Sequence, residues 1–341
     1  MKIPEPEDTI AARIYKWRES NIELPRPHMG ASQLGHHCDR WLWLTFRWAV
    51  IEKFNGRILR LFERGQNEEA VIIRDLRGIG IHIHSCGHQQ KRIDMGCHLG
   101  GSPDGIIDGG VPGYEKKKHL AEFKTHSLKS FKDLTNKGVA ESKPMHYVQM
   151  QVYMKATDID RALYVSICKD DDSIYTERVV YDATVAEKAV ERGHRLALIE
   201  RMPEPCPGAS PDWYQCKMCA ATDFCHSHHL TREVNCRTCA HVTPLPNSTW
   251  RCERYQADGI PYEHQLTGCD CHVLHPDLVP WEWRPSSDQF EAVFVIDGKE
   301  VRNGEGDVYC YTSKELIANA SACGDESVEA IRSAFDARVI G

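Results

Sequence analysis

The 341-residue chain has no run of apolar residues long enough for a membrane span. Its start, MKIPEPEDTIAARIYKWRES, lacks an apolar h-region, so a secretory signal is not expected. It has no internal repeat and no low-complexity tract. Positive charge is not in excess either: 42 Lys and Arg stand against 49 Asp and Glu, a net charge of −7. A polyanionic partner would have to meet a local basic patch rather than a basic protein. These absences lead to the expectation of a soluble, intracellular protein. With 41% hydrophobic residues it can bury a sizeable core, as one large domain with appendages or as two domains.

Cysteine, by contrast, is plentiful. There are fifteen, an odd number that argues against full disulfide pairing. Nine lie between Cys206 and Cys271, several in C-x2-C pairs. In a large intracellular chain that distribution favours metal over disulfides.

The residue pattern reads as helix, strands, helix, strands, helix, an α/β core with a mixed sheet. A short helix is expected from Asp8 to Ser20, and another in ASQLGHHCDRWLWLTFRW with Ser32 as its N-cap. In that helix Cys38, Trp41, Leu42 and Thr45 would share a face. A longer helix should run from about Asn55 to Leu76, ended by Gly78 and Gly80. HQQKRIDM, HLGGSPDGIID and HLAEFKTH read as three strands of a meander. HYVQMQVYMKAT is a helix, RALYVSICKD and SIYTERVVYD are strands joined at Asp171 and Asp172, and ATVAEKAVERGHRLALIERM is a helix stopped by Pro203 and Pro205. Beyond Pro205 the composition shifts to Cys, His, Pro and Trp. The last segment reads as a small hairpin in FEAVFVIDGKEVRNGEGDVYCYT followed by a terminal helix.

Alternate side chains of a strand share a face, so Glu122 and Lys124 point one way and Phe123 the other. If the strand carrying Asp104 pairs beside them, two carboxylates and an ammonium converge. That set suits an oxygen-seeking divalent cation such as magnesium or manganese, which would polarise a phosphate and acidify water. A bare E-x-K is a tiny motif that by itself reads more readily as a solvated salt-bridging face on an edge strand. Its company is informative: Glu69 lies upstream on a helix, and Gln149 and Tyr153 lie downstream, four apart on one helical face.

In that order, the acid helix, Gly101-Ser102-Pro103-Asp104-Gly105, Glu122-x-Lys124 and Gln149-x3-Tyr153 resemble the PD-(D/E)xK nuclease superfamily, in its RecB-like and phage-exonuclease branch. The resemblance covers roughly Ala31 to Cys225. It implies a restriction-endonuclease-like core, a mixed sheet flanked by helices. It also implies that Asp104 and Glu122 are metal ligands, that Glu69 completes the metal site, and that Lys124 is the catalytic lysine. Gln149 and Tyr153 would support the substrate or the order of the site. Glu68, next to Glu69, stays open as the acid-helix ligand. Many RecB-like relatives carry a histidine on this helix; this chain has glutamates. Lys116, Lys117 and Lys118 are a candidate phosphate-contacting turn or simply a solvated one.

CKMCAATDFC supplies Cys216, Cys219 and Cys225 as C-x2-C-x5-C, and Cys38 is available to complete a four-thiolate set. This pattern resembles RecB-like nucleases of the AddB type and CRISPR-associated RecB-like nucleases, which implies a structural [4Fe–4S] cluster. Zinc would accept the same thiolates, and His36, His37 and His226 keep a mixed Cys/His site open. A second set, Cys236, Cys239, Cys252 and Cys269, reads as a zinc site in a small ribbon-like module, with His272 as the alternative ligand. Cys86, Cys97, Cys168, Cys310 and Cys323 read as packing residues. Trp41, Trp43 and Trp48 read as core aromatics rather than base-stacking platforms.

The expected organisation is a nuclease core with an iron–sulfur staple at 1–230, a zinc-binding module at 231–285 and a small β-hairpin and helix segment at 286–341. The expected function is a metal-dependent deoxyribonuclease, an exonuclease of phage type, using Mg2+ or Mn2+. The alternatives are a nucleic-acid-binding scaffold with a vestigial centre and a restriction-type endonuclease. DNA is the expected partner, with a recombination or single-strand-binding protein as a further candidate and no membrane. The expected location is cytoplasmic, in a bacterial host if the chain is phage-derived.

Overall fold

The structure is a computed structural model and describes residues 9–21, 24–305 and 309–340. Three N-terminal helices begin at side chains that accept hydrogen bonds from the otherwise unmet N–H groups of their first turn. Thr9 caps α1 (Ile10–Ser20), its Oγ1 3.1 Å from the Ala12 amide. Cys38 caps α2 (Asp39–Phe46), its Sγ 3.4 Å from the Trp41 amide. Asn55 caps α3 (Gly56–Gly78), its Oδ1 3.0 Å from the Ile58 amide. The first and third follow the sequence closely, although Asp8 lies outside the described residues. The second does not. Ser32 sits in a short 3-10 turn, Ala31–Gln33, whose Gln33 carboxamide accepts from the Gly30 amide, and the helix starts only after Cys38.

The chain divides into two compact units, residues 1–36 with 53–194, and residues 37–52 with 195–341. In chain order the first unit carries β1 (Met29–Gly30), β2 (His82–His84), β3 (Ile93–Asp94), β4 (Leu99–Gly101), β5 (Gly105–Gly109), β6 (His119–His126), β7 (Arg161–Cys168) and β8 (Ile174–Val180). Its main sheet has the order β2-β5-β6-β7-β8. All pairs are antiparallel except β6 and β7, which run parallel, so the sheet is mixed. The expected three-strand meander does not form. HLGGSPDGIID is split between two sheets: β4 pairs with β1 and β3, while β5 joins the main sheet. Pro103, between them, has no N–H to continue a ladder, so the chain leaves one sheet at Gly101 and enters the other at Gly105. HQQKRIDM contributes only Ile93–Asp94, with a 3-10 turn before it.

The parallel pair needs a crossover, and two helices supply it: α4 (Leu128–Ser142) and α5 (Pro144–Thr157). The first is not among the sequence expectations, because its run is broken by Thr135, Asn136 and Gly138 and its apolar spacing is irregular. Gly138 interrupts it at φ 74°, a conformation that favours glycine, and the amide of Val139 donates to Glu177 Oε2 at 2.8 Å. One face of the main sheet is apolar. Ile107, Ala121, Phe123, Leu163, Val165 and Ile167 pack with Ile72, Ile73 and Leu76 of α3. Each fully buried side chain of the larger kinds contributes about 1.5–3 kcal/mol. Phe123 in this layer leaves Glu122 and Lys124 on the other face. The next helix, α6 (Ala183–Leu198), ends before Pro203 and Pro205, and the unit boundary falls within its final turns.

In the second unit Trp43 and Trp48 are buried, with Trp43 packed among Leu44, Ala49, Phe224 and Leu278. A short antiparallel sheet, Val242–Pro244, Trp250–Cys252 and Ala257–Asp258, follows a 3-10 turn at Cys236–Thr238. Arg237, inside that turn, is buried over the Trp48 ring at 3.6 Å and donates to the Phe46 carbonyl at 2.9 Å. A four-stranded sheet completes the unit, in which Ala292–Ile296 and Lys299–Asn303 form the expected hairpin. Two helices follow it, Ser313–Asn319 and Glu326–Phe335, where one was expected. Of the five cysteines expected as packing residues, Cys86, Cys168, Cys310 and Cys323 are buried, while Cys97 is only half-buried.

Among the described residues, no helix is long and apolar enough to cross a membrane.

Candidate active site

Asp104 occupies the bend just before β5, and the register Gly105↔Ala121 places it across from Glu122. It is buried, and its Oδ2 accepts from the Phe123 amide at 2.6 Å. The backbone of the E-F-K strand therefore holds the aspartate in place. Glu122 is fully buried and ion-paired with Lys124 through Oε1. Lys124 Nζ also lies 3.8 Å from Asp104 Oδ2. The convergence expected of these three residues is present. The other oxygen of Glu122, Oε2, is buried with no hydrogen-bond partner. An orphaned buried carboxylate oxygen is costly unless something else satisfies it.

Glu69, on α3, lies close enough to feel the same group. Burial, then the charge of Asp104, raises its pKa to about 7 against the opposing pull of Lys124. Burial raises Glu122 to about 8, with Asp104 and Glu69 adding to the shift and Lys124 opposing it. Burial works against the Lys124 ammonium, yet Glu122 and Asp104 outweigh it and hold its pKa above the ordinary lysine value. Three crowded carboxylates with one cation are short of positive charge, and a divalent cation would supply it. As the side chains are placed, no group of three or more His, Cys, Asp or Glu among the described residues, the cysteines included, is arranged to hold a metal ion.

The opposite wall comes from α5. His146, Gln149 and Tyr153 fall at i, i+3 and i+7, one helical face, and line a cleft of about 550 Å³ together with Lys124, Arg26 and Arg92. Gly101 is required here: a Cβ at that position would overlap the Tyr153 hydroxyl. His146 was not singled out from sequence, although its place three residues before Gln149 on the same face was a readable signal. Its Nδ1 lies 3.0 Å from Tyr164 Oη, and His126 Nε2 lies 3.0 Å from the same oxygen. Lys116, Lys117 and Lys118 are exposed and do not line the cleft.

Both histidines are held neutral. Burial, then nearby lysines, lowers His126 to about 4; burial, then Lys124, lowers His146 to about 3. An unfolded histidine titrates near 6.5. The unfolded chain therefore takes up protons first as pH falls. The stability of the neutral folded state is complete above pH 6.5 and is lost progressively toward pH 4. The expected slope is about 1 kcal/mol per pH unit for each histidine, discounted for partial solvation. Chemical denaturation at pH 7, 6 and 5 measures it. His126→Gln should flatten the slope, and an unchanged slope would remove His126 from this role.

The cysteines gather into two groups in the second unit. Cys206, Cys219 and Cys225 all feel the thiols of Cys38 and Cys216. Burial raises Cys206 and Cys219 to about 11, with these neighbours adding to it. Cys206, absent from the sequence-derived set, is a fifth member, its thiol hydrogen-bonded with that of Cys38. The second group is Cys236, Cys239, Cys252 and Cys269. Burial raises Cys236 to about 11 and Cys239 to about 12, with Cys269 among the neighbours that add to both shifts. Cys269 in turn feels Cys252 and Cys271. His272 is buried away from any such use: Nδ1 lies 2.8 Å from Ser313 Oγ and Nε2 lies 3.0 Å from the Asn235 carbonyl.

No family model matches the sequence, and no curated protein matches it. Among solved structures the chain is similar to an alkaline exonuclease from Laribacter hongkongensis, at 18% identity and a TM-score of 0.35, over 54% of this chain and 89% of that one. It is similar to the protein named SSO0001 at 15% identity and a TM-score of 0.37, over 64% and 97%. A phage-related exonuclease from Haemophilus somnus 129PT matches at 18% identity and a TM-score of 0.27, over 40% and 66%.

Proposed function

We propose that this chain is a metal-dependent deoxyribonuclease of the PD-(D/E)xK kind, acting as a phage-type exonuclease. The observation that carries the reading is the convergence of Asp104, Glu122 and Lys124, with Glu69 beside them and one buried Glu122 oxygen left without a partner. Glu69, Asp104 and Glu122 would hold the cation. Magnesium or manganese, when bound, supplies the positive charge that polarises a phosphate and acidifies water. Lys124, kept cationic by its two carboxylates, steadies the negative charge that builds on the phosphate and orients the attacking water. Gln149 and Tyr153 hold the cleft wall, and the Phe123 amide fixes the Asp104 carboxylate in its rotamer.

The two cysteine groups fit resident metal by their donor chemistry. Four thiolates in one place would favour a soft cation or a cluster, and the thiols of each group influence one another's titration. In this reading Cys38, Cys216, Cys219 and Cys225 hold a [4Fe–4S] cluster, or zinc, and Cys236, Cys239, Cys252 and Cys269 hold zinc.

End-labelled linear DNA and closed circular DNA, incubated with manganese, test the activity. Linear DNA should be degraded from its ends and the circle left intact. A cut circle would make the protein an endonuclease. No cleavage of either, with DNA still bound, would leave a nucleic-acid-binding scaffold.

A further inference from the structure

The hydrogen-bond chain behind the cleft constrains what His146 offers to a ligand. Ser130 Oγ lies 3.3 Å from His126 Nδ1, His126 Nε2 lies 3.0 Å from Tyr164 Oη, and Tyr164 Oη lies 3.0 Å from His146 Nδ1. The two imidazole rings stack with centroids 5.8 Å apart. Tyr164 has one hydroxyl hydrogen for two ring nitrogens. Both rings are neutral, so it donates to one and accepts from the other.

With both rings neutral, two registers satisfy every group. In the first, Ser130 donates to His126, His126 donates to Tyr164, and Tyr164 donates to His146 Nδ1. The hydrogen of His146 then sits on Nε2. In the second, every bond is reversed, and Nε2 presents a lone pair. His146 lines the cleft, and its Nδ1 is committed to Tyr164, so Nε2 is the ring atom left for an occupant. Arg26 and Arg92 line the same cleft, which favours an anion on that side of it, away from the carboxylates that hold Lys124. An anion needs donors, and only the first register gives it one.

We propose that His146 is a neutral hydrogen-bond donor to the phosphate backbone of the strand in this cleft, held as the Nε2–H tautomer by Tyr164, His126 and Ser130. This rests on the nuclease reading, because it takes the occupant of the cleft to be a nucleic-acid strand. A neutral imidazole used as a donor keeps its role over a wide pH range, unlike one that must first gain a proton.

The test is binding of a fluorescent single-stranded oligonucleotide by the full chain, with calcium in place of magnesium, read by anisotropy. His146→Ala should weaken binding about 10-fold, and His146→Gln, which keeps a neutral N–H donor, should stay within about threefold of wild type. The wild-type to His146→Ala ratio should stay constant from pH 5.5 to pH 8. Tyr164→Phe, which retains His146 and removes its anchor, should weaken binding by about threefold. In 15N spectra of the bound wild type, the His146 proton should sit on Nε2.

Wild-type binding with His146→Ala unchanged would overturn the proposal and leave the nuclease reading standing. So would a ratio that grows as pH falls below 6.5, since that marks a cationic histidine, or a proton found on Nδ1. Failure of the wild type to bind or cleave any oligonucleotide would remove both.

Discussion

Glu122→Gln is expected to lower manganese-dependent cleavage by on the order of 10³-fold or more, a loss of about 4 kcal/mol in transition-state stabilisation. The change keeps the shape of the side chain and removes a charge from the centre of the site. Asp104→Asn and Lys124→Ala should each do the same. Asp104→Asn still offers an oxygen to the Phe123 amide, so its fold should survive. Lys124→Ala leaves the two carboxylates without their cation, so its loss should be accompanied by a change in metal affinity. Calorimetric titration of manganese gives a readout that does not depend on turnover: Glu122→Gln and Asp104→Asn should weaken binding at least about 10-fold, with melting temperature in chelator held within a few degrees. Wild-type cleavage by any of the three variants would remove that residue from the centre.

Cys269→Ser is expected to release one zinc per chain and to open the segment from Cys236 to Cys271 to protease. Structural zinc in small modules contributes about 10–16 kcal/mol of apparent binding free energy at neutral pH, which is far more than the short three-stranded sheet there can replace. His272→Ala should behave differently. Both of its ring nitrogens are already engaged by Ser313 and Asn235, so the expected result is retained zinc and a loss of about 1–3 kcal/mol in stability from the broken buried bonds. Zinc release from His272→Ala with retention in Cys269→Ser would reverse the assignment. Elemental analysis of the wild type, purified without oxygen, separates iron from zinc at the Cys38 group. Iron with equimolar sulfide supports the cluster, and zinc at both groups removes it.

Local pattern was enough for much of this chain. The helix that starts after Asn55 was legible because it carries its own period and cap, the strand His119–His126 because of its residue run, and the helix bearing Gln149 and Tyr153 because Pro144 opens it. The E-x-K pair shares a face by the pleat alone, and the C-x2-C pairs announce soft ligands by spacing alone. Other features depended on partners far away in the chain. Pro103 split one apparent strand between two sheets, and only strand pairing shows which sheet each half joined. Thr135, Asn136 and Gly138 masked a helix that tertiary packing and the Glu177 carboxylate support. Glu69 was readable as an acid on a helix, but its place beside Asp104 and Lys124 comes from the way α3 packs on the sheet. His146 joined the cleft for a similar reason: its helical spacing from Gln149 gave the face, but the tyrosine on β7 that takes its Nδ1 comes from packing. The sequence by itself determined which residue types are present and which of them share a local face. The tertiary structure decided which faces meet, because burial and distance, which set the pKa values and the orphaned oxygen of Glu122, arise only when segments remote in the chain pack together.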